Sequence, residues 1–511
     1  MRRTRTDLPL PPPPSVDLHL TPSDIADERL YRSIYGLRDA DPLQSAERTF
    51  LPRQRNGFLA LAAMIVVLVV LWPFIVLPTL IGIATIAYLS TIIFRLSLMY
   101  HAARHPETAV VTDEDARAVP DEDLPLYTIM VPCYKEPEVL EQLLRSIAEM
   151  EYPKDKLDVK LLLEADDLAT IDAAYKMGAD ETVEIIVVPA AQPRTKPKAL
   201  NYGLQNAVGK YVTIFDAEDR PESLQLRKAA IALGRAPADV ACLQAELAYF
   251  NPDQNIITRW FTLEYELWFR QFLPGLSHVN APIPLGGTSN HFRKDVLVDA
   301  GGWDPFNVTE DADLGVRLHR RGYRTGMLAS VTLEEANSDF VNWVKQRSRW
   351  YKGYLQTWLV HMREPRRLIR EVGLGGFLRF NLFVGGTPVL AMLNPIFWAL
   401  TIGWFLLEPP VIHRLFPAPV YYGGLFTWLV GNFVFAYTFI LAGYHHPEKK
   451  IFTAGLLAPL YWMGMSLAAV KAFLQLLFNP QYWEKTQHGL SGATSTPTTV
   501  AQKASDSLPA Q

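Results

Sequence analysis

Cysteine is scarce in this chain. Its 511 residues carry two, Cys133 and Cys242, far apart and without metal-ligand spacing. That excludes a disulfide framework, and both are read as reduced thiols. An excess of one charge is also missing. Lys and Arg number 49 against 53 Asp and Glu, a net charge of −4, so no nucleic-acid partner is expected. No internal repeat is visible. No secretory signal is expected at the start, because residues 1–56 are polar and charged, with a proline run from Pro11 to Pro14. They read as a largely disordered cytoplasmic segment with some helix near 22–48.

Apolar residues are abundant instead, 49% against 20% charged. That mixture suits a soluble domain fused to membrane spans. The length asks for two or three structural units. Residues 57–100 contain a single charge, Arg95. A span needs about 20 apolar residues, so 57–101 is predicted as a helical hairpin broken near Pro78. Apolar segments return within 386–444, as two spans, and at 452–478. The last reads as an interfacial helix or a fifth span, since Tyr461 and Trp462 stand near its start and Lys471 interrupts it. Residues 356–385 alternate basic and apolar patches and read as interfacial helices. Basic flanks at Arg48, Arg53, Arg55, Arg363, Arg366, Arg367, Arg370, Lys449 and Lys450 predict a cytoplasmic central domain at a bacterial-type inner membrane. Residues 491–511 read as a disordered tail.

Between the apolar blocks the pattern alternates. Buried-strand runs are expected at 127–132, 158–163, 183–188 and 211–215, with helical patterns between them. Alternation of this kind implies an α/β fold with a mostly parallel sheet covered on both faces. Ligands bind beyond the carboxyl ends of such strands. Those ends are polar here: Cys133-Tyr-Lys-Glu136, Glu164-Ala-Asp166-Asp167 and Asp216-Ala-Glu218-Asp219. Carboxylates converging on one crevice repel and require protons or a cation. Mg2+ or Mn2+, which prefer oxygen ligands, answer that need and would also neutralise a diphosphate leaving group.

In this order the motifs resemble the family 2 glycosyltransferases, in particular the membrane-embedded synthases of cellulose, chitin and hyaluronan. The resemblance covers 125–355 and extends more loosely to 490. It implies a GT-A-type, mostly parallel mixed sheet flanked by helices, joined to a transmembrane α-helical region. Val131-Pro-Cys-Tyr-Lys-Glu136 resembles the opening nucleotide-binding strand end and implies donor contacts from Pro132, Tyr134 and Glu136. Glu164-Ala-Asp166-Asp167 resembles the acidic turn at the base, with Glu164 or Asp166 in that role. Lys196-Pro-Lys198-Ala-Leu-Asn201 resembles the motif whose lysine faces the nucleotide, here Lys196. Asp216-Ala-Glu218 stands where the family has Asp-x-Asp. This implies a metal held by Asp216 with Glu218 or Asp219.

Thr309-Glu310-Asp311 matches the catalytic-base motif, between Gly301-Gly-Trp303 and Asp313-Leu-Gly-Val-Arg-Leu-His-Arg-Arg-Gly-Tyr323. Gln346-Arg-Ser-Arg349-Trp350 matches the Gln-x-x-Arg-Trp signature of the processive synthases. Residues 482–490 resemble the gating loop of cellulose synthase, with Trp483, Thr486 and His488 as the closing residues.

Inverting sugar transfer needs a base for the acceptor hydroxyl and charge stabilisation for the departing diphosphate. Asp311, beside Glu310, is expected as the base and Arg349 as a diphosphate partner, because its fork matches phosphate oxygens. Trp350 would stack on the acceptor sugar and Gln346 would hydrogen-bond it. The expected activity is transfer from a nucleotide-sugar, a UDP-sugar above all, to a growing glycan. Transfer of one sugar to a lipid-linked acceptor is the alternative, and a non-catalytic receptor or scaffold the rival from another class. The lipid bilayer is an expected partner, as are further subunits for export or regulation.

Overall fold

A computed structural model describes residues 27–105, 107–179, 183–407, 414–444, 446, 448–480, 482 and 484. Nine strands form one sheet. They are β1 (Thr108–Ala109), β2 (Tyr127–Cys133), β3 (Leu157–Glu164), β4 (Glu184–Val188), β5 (Tyr211–Ile214), β6 (Arg220–Pro221), β7 (Val240–Tyr249), β8 (Asn290–Arg293) and β9 (Arg324–Glu334). The order is β1-β9-β7-β8-β5-β2-β3-β4, with β6 beside β9. β8 runs antiparallel to β5 and β7, and β6 antiparallel to β9; the other pairings are parallel.

The composition of β2 explains its central place. Successive side chains of a strand point to opposite faces. Ile129 and Val131 join a core with Leu140 and Leu143 on one face. Met130 joins Leu162, Leu200 and Leu314 on the other. A strand apolar on both faces needs cover on both, which is the parallel-sheet condition. From β2 the chain steps outward to β3 and β4, then returns to the opposite side of β2 as β5. That reversal leaves a crevice beyond the carboxyl ends of β2 and β5.

Residues from 27 onward are more ordered than the reading of a largely disordered N-terminal segment. Asp27 caps helix Glu28–Ala40 by accepting from the Arg29 and Leu30 amides. Leu30, Ile34 and Leu37 recur at helical spacing and are buried. Asn201 donates to the Ser33 carbonyl at 3.0 Å. Arg363 donates to the carbonyls of Pro42, Leu43 and Ser45 at 3.1, 3.0 and 2.9 Å.

Among the described residues, five helices are long and apolar enough to cross a membrane: Pro52–Leu71, Pro73–Arg104, Pro365–Gly403, Ala418–Tyr444 and Lys449–Phe478. The first break falls at Trp72 rather than near Pro78, which lies inside the second helix. Proline is suited to the first helical position, which Pro73 takes, and helices in lipid tolerate an interior proline. The stretch expected as separate interfacial helices runs on into the next span. Its interruptions are Gly373, at φ 72°, and a π-turn at Asn381–Gly385. Helix Ala458–Phe478 lies along helix Phe340–His361, with Tyr461 against Trp343 at 5.1 Å between ring centroids and Leu476 clustered with Leu355 and Leu359.

Helix Phe340–His361 presses on the residue before Glu310. A Cβ on Gly353 would stand 2.2 Å from Thr309 Oγ1 and 2.7 Å from its Cβ. Gly353→Ala is therefore expected to cost about 1–3 kcal/mol by overpacking. Gly234→Ala, in helix Gln225–Arg235 with nothing within 4 Å, is expected to be neutral or stabilising. Thermal unfolding in detergent checks both; equal effects would contradict this packing.

Candidate active site

The crevice beyond β2 and β5 opens into a cavity of about 680 Å³. Each strand end contributes to it. From β2 come Pro132, Tyr134 and Glu136; from β5, Asp216, Glu218 and Asp219; from β9, Glu334. Lys196 begins helix Lys196–Leu204. Its Nζ ion-pairs with Asp216 and donates to the Gly287 carbonyl at 2.8 Å. Burial lowers the proton affinity of Lys196, but Asp216 and Glu310 outweigh it and hold the ammonium above the usual lysine range.

The paired readings of the acidic turns resolve into distinct contacts. Asp219 is bound within its own loop, accepting from the Asp216 amide at 2.8 Å and from the Thr288 hydroxyl. Asp216, Glu218 and Asp219 all line the cavity. Glu164 forms a buried ion pair with Lys198 at 2.8 Å. Asp166 pairs with Arg194 at 2.7 Å and accepts from the Tyr134 hydroxyl at 3.3 Å. Arg194 also lines the cavity.

Glu334 carries no motif and was missed from sequence. Burial, then Asp216 and Glu218, push its carboxyl up to about 8. Burial and the same neighbours hold Asp219 well above the carboxylate range. Burial leads in both shifts, and the neighbouring carboxylates add to it. The donor set, all carboxylate oxygen, fits Mg2+ or Mn2+.

The opposite wall carries the base motif. Glu310 and Asp311 open helix Glu310–Arg320. Asp311 Oδ1 accepts from the Ala312 amide at 2.7 Å. Burial raises Asp311 to about 6, against the lowering effects of that amide and Lys196. Glu310 is raised to about 7 by burial and by Asp311. Gly287 lies between these groups and Lys196: a Cβ there would be 3.4 Å from Asp311 Oδ2 and 3.9 Å from Lys196 Nζ. Gly286 and Gly287 therefore form part of the cavity wall, and Asn290 donates back to the Gly286 carbonyl at 2.6 Å.

A buried network fixes this helix. Asp313 accepts from Arg317 at 2.7 Å and lies 3.0 Å from His361 Nε2. Burial opposes ionisation of Asp313, yet Arg317 and His361 hold it below the usual range. Arg317 also donates to the Ala300 and Gly302 carbonyls at 2.7 and 2.8 Å. The turn it grips needs glycine at Gly301 and Gly302, whose φ angles are 84° and 64°. Asn201 closes the same turn with the Trp303 amide at 2.9 Å. Asn201 thus braces the site rather than lining it.

Helix Phe340–His361 brings Gln346, Arg349 and Trp350 to the cavity. Gln346 Oε1 is buried with no hydrogen-bond partner among the described residues, an acceptor suited to a hydroxyl. Burial lowers the proton affinity of Arg349, against Glu310, Asp311 and Asp216, which raise it. The Trp350 ring stacks near Tyr265 at 6.4 Å and lies under the Arg347 guanidinium at 4.4 Å. Glu264 holds that guanidinium, one contact being 2.9 Å. Trp483, Thr486 and His488 fall outside the described residues.

The cavity also continues among the apolar helices, where Tyr88, Arg95, Asn394, Trp398, Tyr421 and Trp428 line it. Arg95 Nη2 donates to Thr387 Oγ1 at 3.1 Å. Among the described residues Arg95 makes no ion pair.

Comparison with known proteins bears on the family and the fold. Residues 125–353 match the family model described as glycosyltransferase like family 2, and 282–448 match glycosyl transferase family 21. The chain is similar to the probable glycosyltransferase YdaM of Bacillus subtilis (strain 168), 25% identical over 285 residues, 54% of this chain and 66% of that protein. It is 27% identical over 239 residues to the probable glucomannan 4-beta-mannosyltransferase 7 of Oryza sativa subsp. japonica, 45% of this chain and 41% of that protein. The match thus covers less than two thirds of either relative. In structure it is similar to the mannosyltransferase PcManGT from Pyrobaculum calidifontis, solved in complex with GDP-Man and Mn2+. The TM-score is 0.50 at 19% identity, over 78% of this chain and 99% of that one. The likeness supports a GT-A-like fold. Residues 125–353 of this chain thus match a family 2-like glycosyltransferase domain.

Proposed function

We propose that the chain is a membrane-bound, inverting transferase that moves a sugar from a nucleotide-sugar donor to a growing glycan, working at the cytoplasmic face of an inner membrane. One observation carries this reading: Asp216, Glu218, Lys196, Asp311 and Arg349 line a single cavity that continues among helices able to cross a membrane. Pro132, Tyr134, Glu136 and the Asp166–Arg194 pair would form the nucleoside side. Lys196 and Arg349 would face the diphosphate, where cations stabilise the charge that develops on departure. Asp216 and Glu218 would hold Mg2+ or Mn2+, which when bound supplies further neutralisation of that charge. UDP-sugars and GDP-mannose are the candidate donors; PcManGT was solved with GDP-Man.

Asp311 would take the proton of the acceptor hydroxyl. A base works best with a proton affinity near the operating pH, and burial brings this carboxyl to about 6. Trp350 and Gln346 would hold the acceptor. The aromatic lining deeper in the cavity suits the C–H faces of sugars, which supports a glycan path toward the apolar helices. The contact of helix Ala458–Phe478 along helix Phe340–His361 supports its placement at the membrane surface.

Arg95 favours a second reading. An arginine buried among apolar helices marks a functional path, and its charge suits the phosphate of a lipid-linked acceptor. Product length separates the two. A ladder of polymer from purified protein supports the first reading, and a single added sugar on lipid supports the second.

Asp311→Asn is expected to lower turnover by about 10²–10⁴-fold while donor affinity stays within a few-fold. Equal activity would exclude Asp311 as the base. For the active wild type, the rate is expected to fall as pH drops through about 6, because protonated Asp311 cannot accept a proton. A flat profile from pH 5 to 8 would contradict that assignment. No nucleotide release from any donor with Mg2+ or Mn2+, in folded protein, would favour the scaffold.

A further inference from the structure

Outside the cavity, the described residues gather three imidazoles where the second apolar helix meets the catalytic domain. His101 lies in the last turn of helix Pro73–Arg104, and His105 is its C-cap. His278 ends helix Leu273–His278. The two helices touch backbone to backbone nearby, since a Cβ on Gly275 would stand 2.4 Å from the Leu98 carbonyl oxygen. That approach brings the histidines of both helices together. The His101 and His105 rings lie 4.9 and 4.7 Å from the His278 ring between centroids. One ligand nitrogen from each falls within 4.8 Å of the others.

Two further contacts favour a ligand. His278 Nδ1 lies 3.0 Å from Glu107 Oε1. A carboxylate there accepts the Nδ1 proton and leaves Nε2 with a lone pair, the second-sphere pattern of metal-binding histidines. His101 Nδ1 is buried with no hydrogen-bond partner among the described residues. A buried polar atom left so is destabilising unless a ligand satisfies it.

We propose that His101, His105 and His278 bind one Zn2+, which staples the end of the membrane helix to the domain. Three imidazoles without thiolate suit Zn2+, and Mg2+ avoids them. Tetrahedral Zn–N bonds of about 2.0–2.1 Å place ligand atoms about 3.4 Å apart. Turning the rings from stacked to convergent closes the difference. The same helix lines the cavity with Tyr88 and Arg95. The strand after it, β1, pairs with β9, whose last residue is Glu334. The staple would fix the cavity wall relative to the acidic site.

The test uses full-length protein without a polyhistidine tag, in lipid nanodiscs, stripped of metal and kept in excess Mg2+ to occupy the carboxylate site. It is titrated with Zn2+, and with Co2+ as an optical probe. One equivalent is expected, with a Co2+ visible absorption band and a rise in melting temperature on adding Zn2+. His101→Ala and His278→Ala are expected to weaken binding at least 100-fold, and Glu107→Gln about 10-fold. If His101→Ala or His278→Ala fails to fold, the exposed His105→Ala gives the same reading. No stoichiometric Zn2+ in the wild type, or the same affinity in the histidine variants, overturns the proposal.

Discussion

Mutual repulsion among carboxylates at the ends of β5 and β9 is the constraint around which the catalytic face is arranged. Asp216, Glu218, Asp219 and Glu334 approach one another in a partly buried crevice, and Glu310 and Asp311 face them across Gly287. Lys196 answers part of that charge through its ion pair with Asp216. Burial first, and the neighbouring carboxylates after it, raise the proton affinities of Asp219 and Glu334. A site of this kind is costly unless it is used, because buried like charges oppose folding. It is also ready to accept a cation and the diphosphate that accompanies it.

Helix Phe340–His361 couples this site to the apolar helices. One side presents Gln346, Arg349 and Trp350 to the cavity. Another packs Trp343 against Tyr461 and Leu355 near Leu476. Its C-terminal end reaches the base helix through Gly353 at Thr309 and through His361 at Asp313. Breaking one partner of a buried network leaves the other charge uncompensated. Asp311, Arg349 and Trp350 are therefore positioned by two helices packed on each other rather than by separate loops.

Much of this was legible in the sequence, for reasons that differ by residue. The strands at 127–133, 157–164, 184–188 and 211–214 lie within a residue or two of their expected limits. Short apolar runs closed by polar turns have few other solutions. The order of Asp216, Asp311 and Arg349 along the chain identified a common site, and the fold brings them to one cavity. Glu334 was hidden because it ends a strand whose role depends on a distant neighbour, β7. Its signal was an acidic pair, Glu334-Glu335, closing an apolar strand. The Lys198 contact of Glu164 and the Thr288 contact of Asp219 join residues far apart in the chain, which sequence order does not give. The helix break at Trp72 was lost because proline opens helices as readily as it ends them.

The central claim is that Asp216 and Glu218 meet around one divalent cation. Anomalous scattering from crystals soaked with Mn2+ and a nucleoside diphosphate tests it most directly. The account predicts a single strong peak within coordination distance of both carboxylates and the diphosphate, near Lys196 and Arg349. A peak elsewhere, or ordered nucleotide with no metal beside these residues, would contradict it.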